Sequence, residues 1–123
     1  MRAEEKKLLL DVQEAGASIE QRCARQTFDQ YVTDRWFRRA VEREFEIIGE
    51  ALNRLERFAP ETAARITSLR RIVDFRNRII HGYDSVDDVI VWRTVEHHLP
   101  LLLAEVDTLL GSQPDGSGSG STG

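Results

Sequence analysis

Apolar residues recur three and four positions apart along most of the chain, the spacing that lines up one face of an α-helix. From Ala3 to about Arg25 the stripe is Leu8, Val12, Ala15 and Ile19, widened by Leu9 and Leu10. Thr27-Phe28-Asp29 reads as a break or a new start, with Thr27 as a candidate cap. A longer pattern from about Asp34 to Phe58 carries Phe37, Val41, Phe45, Ile48, Leu52 and Leu55. Gly49 lies inside it, where glycine costs ~1 kcal/mol relative to alanine, so another helix is expected to approach closely there. Ala59-Pro60 ends this element, and Glu61 is a first-turn acid for the short helix that follows. Leu69, Ile72, Val73, Ile79 and Ile80 supply the buried side of a third long element. Asp84-Ser85 reads as a turn, and Ser85 with Asp88 has capping-box spacing for a last helix from about Val86. That helix carries Trp92, Val95, Leu99, Leu102, Val106 and Leu109. Pro100 inside it predicts a kink or a fresh start, and Gly111 a stop.

No alternating strand pattern, internal repeat or glycine-rich phosphate loop occurs. The predicted fold is all-α: an up-and-down bundle of about four long helices with short extra helical turns. Residues 1–111 form one predicted domain. Residues 112–123 are rich in Gly and Ser, without core-forming residues, and read as a flexible tail or an appended linker.

The 123 residues suit a single domain, and 41% hydrophobic with 31% charged residues suit a soluble helical protein. No apolar run approaches the ~20 residues of a membrane span, and the start lacks a signal peptide's apolar region. A cytoplasmic location is therefore expected. The single cysteine, Cys23, excludes an internal disulfide and a multi-thiolate metal site, and its helical spacing from Ile19 places it in or near the core. A net charge of −4 argues against a general nucleic-acid coat. The charges are unevenly spread. Arg65, Arg70, Arg71, Arg76 and Arg78 crowd the third segment beside one acid, Asp74, while Arg35, Arg38, Arg39 and Arg43 form a second cluster. A local cationic cleft on an acidic body suits gripping a few phosphates; most of these arginines are expected on solvated faces paired to Glu42, Glu46 and Glu50.

The densest chemistry lies in Arg76-Asn77-Arg78-Ile79-Ile80-His81-Gly82-Tyr83. Arginine offers a planar fork of donors that stays charged at working pH, and histidine exchanges a proton near neutrality. On one helix, Asn77 and His81 share a face, with Asp74 and Arg78 one turn or so back. Arg76 and His81 would be about 140° apart around the axis and about 7.5 Å apart along it. One straight helix cannot aim both at a single phosphate. Either the chain loosens at Gly82 or, the favoured arrangement, two copies meet on a two-fold axis and share the cleft. His97-His98 lacks the spacing that puts two imidazoles on one metal, and no carboxylate pair has metal-ligand spacing. The expectation is thus a mechanism without metal or cofactor. His81 serves as general acid/base, Arg76 as phosphate clamp, and Asn77 as an orienting group, with Arg78, Asp74 and Glu50 in possible supporting roles. RNA is the expected substrate, because the 2′-OH is the nucleophile and DNA lacks it. Trp36 and Trp92 could stack bases, but core or interface packing is expected for both.

Arg76, His81 and Tyr83 also match the R-x4-H-x-Y motif of HEPN-domain proteins, and the chain resembles the HepT toxins among them. Ile47-Ile48-Gly49-Glu50-Ala51-Leu52, the Val91-Trp92 step and Leu99-Pro100-Leu101 are similar as well, so the resemblance spans roughly Glu4 to Leu110. It implies a homodimeric helical ribonuclease, the toxin of a prokaryotic toxin–antitoxin pair, with a minimal nucleotidyltransferase of the MntA type as partner. It also implies catalytic roles for Arg76 and His81, with Asn77 beside them, and makes Tyr83 the acceptor of AMP from that partner. The alternative from another class is a non-catalytic dimeric helical module that binds a nucleotidyltransferase or a nucleotide. Such a module would turn over no RNA.

Overall fold

The computed structural model describes residues 1–80 and 87–111; His81, Gly82, Tyr83 and the expected Asp84-Ser85 turn lie outside the described residues, as does the 112–123 segment. Among the described residues seven α-helices follow one another: α1 (Ala3–Cys23), α2 (Phe28–Thr33), α3 (Arg35–Phe58), α4 (Pro60–Ala63), α5 (Leu69–Ile80), α6 (Asp88–Arg93) and α7 (Leu99–Gly111). No strand occurs among the described residues, and the fold is the all-α bundle that the apolar spacing predicts.

The helices run alternately up and down. Ser18 on α1 donates to Glu44 on α3 at 3.2 Å, while Arg2 donates to the Phe58 carbonyl at the opposite ends of the same two helices. Arg70 and Arg76 on α5 meet Glu56 and Glu50 on α3 in reversed order. Gln13 on α1 bonds Asp107 on α7 at 2.6 Å. The α1, α3, α5 and α7 stripes close over a core whose fully buried members include Leu9, Val12, Ile19, Phe45, Ile48, Leu52, Ile72, Leu99 and Leu102. Each large apolar side chain so buried contributes about 1.5–3 kcal/mol of transfer free energy. Cys23 is buried as expected.

Local signals set the helix ends. Thr27 accepts from the Gln30 N–H while the Gln30 side chain accepts from the Thr27 N–H, a reciprocal cap on α2. Asp34 separates α2 from α3 and accepts from the N–H groups of Trp36 and Phe37. α6 starts two residues later than the Ser85 cap would place it: the Asp87 carboxylate accepts from the Val89 N–H at 2.9 Å and α6 begins at Asp88. At Pro100 the helix neither stops nor restarts but runs on through a π-helical bulge. A wide π-helical turn over Thr94–His98 lets the Leu99 N–H reach the Thr94 carbonyl, and Pro100 then sits in the first turn of α7. The wide turn accommodates the proline, whose ring would crowd the preceding turn of a regular α-helix.

The two tryptophans part company. Trp92 packs into an aromatic cluster with Phe28, Tyr31 and Phe37, with centroids 5.4–6.3 Å from its own. Trp36 does not enter the core and is 78% exposed. The core-facing α3 positions at this end go to Phe37 and Val41, so the residue before Phe37 points outward.

Candidate functional site

α5 crosses α3 where Gly49 removes the obstacle. A β-carbon at Gly49 would lie 2.2 Å from Arg76 Cβ and 2.4 Å from its Cγ. Absence of a side chain therefore lets the Arg76 stem lie directly on the α3 backbone. This is the close approach that a glycine inside the α3 stripe predicts, and Phe45 and Phe75, edge to face at 5.1 Å between centroids, pack the same crossing.

Past Gly49 the guanidinium is held from two sides. Its Nη2 donates to Glu50 Oε1 at 2.5 Å and its Nη1 to Asn77 Oδ1 at 3.0 Å. Arg76 is 17% exposed and Glu50 46%, so the pair is half in solvent and screened accordingly. Arg76 Nε is buried without a hydrogen-bond partner among the described residues. Five N–H bonds radiate from a guanidinium. Two are used here, and each terminal nitrogen keeps a second for an incoming acceptor. Arg76 and Glu50 line a cleft of about 400 Å³ with Leu8, Asp11, Arg43 and Arg54.

The other candidates fall elsewhere. Arg78 is exposed and makes no salt bridge among the described residues. Asp74 is also exposed and lies 4.0 Å from Arg70, which in turn bonds Glu56. Asp74 thus belongs to a surface pair with Arg70, one turn before Asn77, and makes no bond to Arg76 among the described residues. His81 and Tyr83 lie outside the described residues. In the second basic cluster Arg43 bonds Glu46 at 3.3 Å, whereas Glu50 takes Arg76. Sequence reasoning missed the cleft-lining roles of Arg43 and Arg54. Their signal is helical spacing from Ile47 and Glu50, which puts them on one face of α3.

A family model described as ribonuclease HepT-like matches residues 12–109, which covers most of the chain. The chain belongs to the HepT-like ribonuclease family. Among its relatives is a protein of Thermococcus cleftensis named "Probable ribonuclease HepT", 32% identical over 113 residues, covering 89% of this chain and 98% of that protein. A protein of Caldanaerobacter subterraneus named "Putative RNase TTE0752" is 32% identical over 84 residues, covering 68% of this chain and 74% of its own length. A similarly named protein of Methanocaldococcus jannaschii is 26% identical over 102 residues, 83% of this chain and 93% of its own length. No solved structure matches the chain significantly. Within the HepT-like fold described here, no helix is long and apolar enough to cross a membrane, among the described residues.

Proposed function

We propose that this chain is an RNA-cleaving toxin, acting in the cytoplasm through Arg76 and His81 without a metal ion. Family membership and the ribonuclease names of its relatives support the substrate class. The observation that carries the site is the Arg76 guanidinium, fixed on α3 by Gly49, Glu50 and Asn77 with N–H bonds to spare among the described residues. A preset cation of this kind stabilises charge as it develops on a phosphate, with little reorganisation.

His81 accepts the proton of a ribose 2′-OH, and the 2′-oxygen attacks the adjacent phosphorus. The P–O5′ bond breaks, and the leaving 5′-oxygen takes a proton from an imidazolium. The products are a 2′,3′-cyclic phosphate and a 5′-OH. Arg76 clamps the non-bridging oxygens and Asn77 orients Arg76. Arg76 and His81 are poorly placed to converge from one helix, so the cleft is shared by two copies in a homodimer. The neutralising partner is a minimal nucleotidyltransferase of the MntA type. The Tyr83 oxygen attacks the α-phosphorus of ATP, pyrophosphate leaves, and the added AMP brings bulk and negative charge to the place of the RNA phosphate.

Arg76→Ala and His81→Ala should each abolish cleavage and toxicity while leaving the circular dichroism spectrum unchanged. A 3′-OH product, loss of activity on chelation, or full activity in both variants would overturn the mechanism. Incubation with the partner and ATP should add the mass of one AMP at Tyr83, and modification elsewhere would overturn the regulatory part. The Glu50–Arg76 pair favours one rival, a non-catalytic module in which Arg76 is a structural strut. That rival predicts no growth inhibition on expression alone and no RNA turnover at high protein concentration.

A further inference from the structure

We infer that the solvent-facing side of α3, from Trp36 to Arg43, is a track for single-stranded RNA on which Trp36 stacks a base. The inference deepens the ribonuclease reading and rests on it for what the strand is led to. Trp36 is the most exposed large hydrophobic among the described residues at 78%, and an indole left in water has little to gain for a monomer's stability. At helical spacing, Trp36, Arg39, Arg43, Ile47, Glu50 and Arg54 lie along one side of α3. The Arg76 guanidinium reaches that same side through its bond to Glu50. From Trp36 to Glu50 is about 21 Å along the axis at 1.5 Å per residue. That span accommodates several nucleotides between a base on the indole and a phosphate at Arg76.

Charge selects the occupant. Arg22 lines the recess beside Trp36, Arg39 lies one turn on along the same side of α3, and Arg35 is the exposed residue that precedes the indole. None of the three makes a salt bridge among the described residues. Glu42 faces Arg38 and Arg39. Asp34, the carboxylate in the recess, is spent on the N–H groups of Trp36 and Phe37. Arg38 is turned back onto the Val32 carbonyl. An exposed ring set among guanidiniums matches a polyanion with stackable bases. A second copy of the chain would bring its own cations against these.

The test is fluorescence anisotropy of the full chain with a labelled 2′-O-methyl RNA of about 12 nucleotides, which has no 2′-OH proton and is not consumed. Trp36→Ala should weaken binding about 5- to 100-fold, and Trp36→Phe should retain most of it. Arg35→Gln and Arg39→Gln should each lower the salt dependence of log affinity by about 0.7. Affinity unchanged in Trp36→Ala would overturn the track. So would a change of oligomeric state by light scattering at unaltered RNA affinity, which would assign the face to contacts between copies. Cleavage of a dinucleotide too short to reach Trp36 should be the same in Trp36→Ala as in the wild type and lost in His81→Ala. Cleavage that persists in His81→Ala would sink the catalytic reading alone, since the anisotropy measurement does not depend on turnover.

Discussion

Arg76 occupies the space that a side chain at Gly49 would fill. A β-carbon there would meet Arg76 Cβ and Cγ at 2.2 and 2.4 Å, and both atoms sit at the root of the side chain, where little can swing aside. Packing of α5 on α3 and placement of the guanidinium are therefore one event.

Gly49→Ala should cost about 1–3 kcal/mol despite alanine's higher helix propensity, because overpacking at a crossing outweighs the ~1 kcal/mol gained. Gly16→Ala is the control. Its β-carbon would meet the Leu103 side chain, 2.4 Å from Cδ2, where the leucine end can rotate away. Denaturant titration should show a much smaller loss for Gly16→Ala, and equal losses would contradict the assigned role of the crossing.

Glu50 is half exposed, so its removal should barely move stability, by less than about 1 kcal/mol. Its effect should appear in turnover, because Arg76 loses one of its two tethers. Cleavage of a labelled RNA should fall about tenfold in Glu50→Ala and less in Glu50→Gln, which keeps an acceptor oxygen. A Glu50→Ala protein that cleaves at the wild-type rate would remove Glu50 from the site.

Tyr31 is fully buried against Phe37 and Trp92, and its hydroxyl has no hydrogen-bond partner among the described residues. Burial, and then the nearby Glu42 and Asp88, push the phenol's pKa up. Tyr31→Phe deletes only the unsatisfied oxygen and should leave stability unchanged or raise it by up to about 1 kcal/mol. Tyr31→Ala should lose about 3–5 kcal/mol by opening a cavity. A clear loss in Tyr31→Phe on thermal unfolding would mean that the hydroxyl has a partner, such as a buried water.

Burial pushes the Cys23 thiol up to about 11. Between its ordinary value and that one, the folded chain holds the proton and the unfolded chain has lost it. Folding stability should therefore fall as pH rises through this window, and the thiol should contribute nothing below it. Near pH 8 the native protein should react with a thiol reagent far more slowly than the urea-unfolded protein. Cys23→Ala should flatten the alkaline limb of the stability profile.

Most of the fold was written into the chain as short-range physics. The three-four spacing marked the long helices, Thr27 the cap of α2, Pro100 the irregular turn of the last helix and Gly49 the crossing, since each shows as a local signal in the chain. Three matters needed the folded chain. Which arginine fills the gap at Gly49 depends on the register of α5 against α3, and the four arginines of α5 are of similar character. Where α6 begins turned on whether Ser85 or Asp87 supplies the cap, and both have suitable side chains. The exposure of Trp36 followed from Phe37 and Val41 taking the inward positions, which composition cannot reveal. Sequence determines what each helix buries, because burial is a property of one face; only tertiary packing decides which polar groups meet, because that depends on how two faces are rotated against each other.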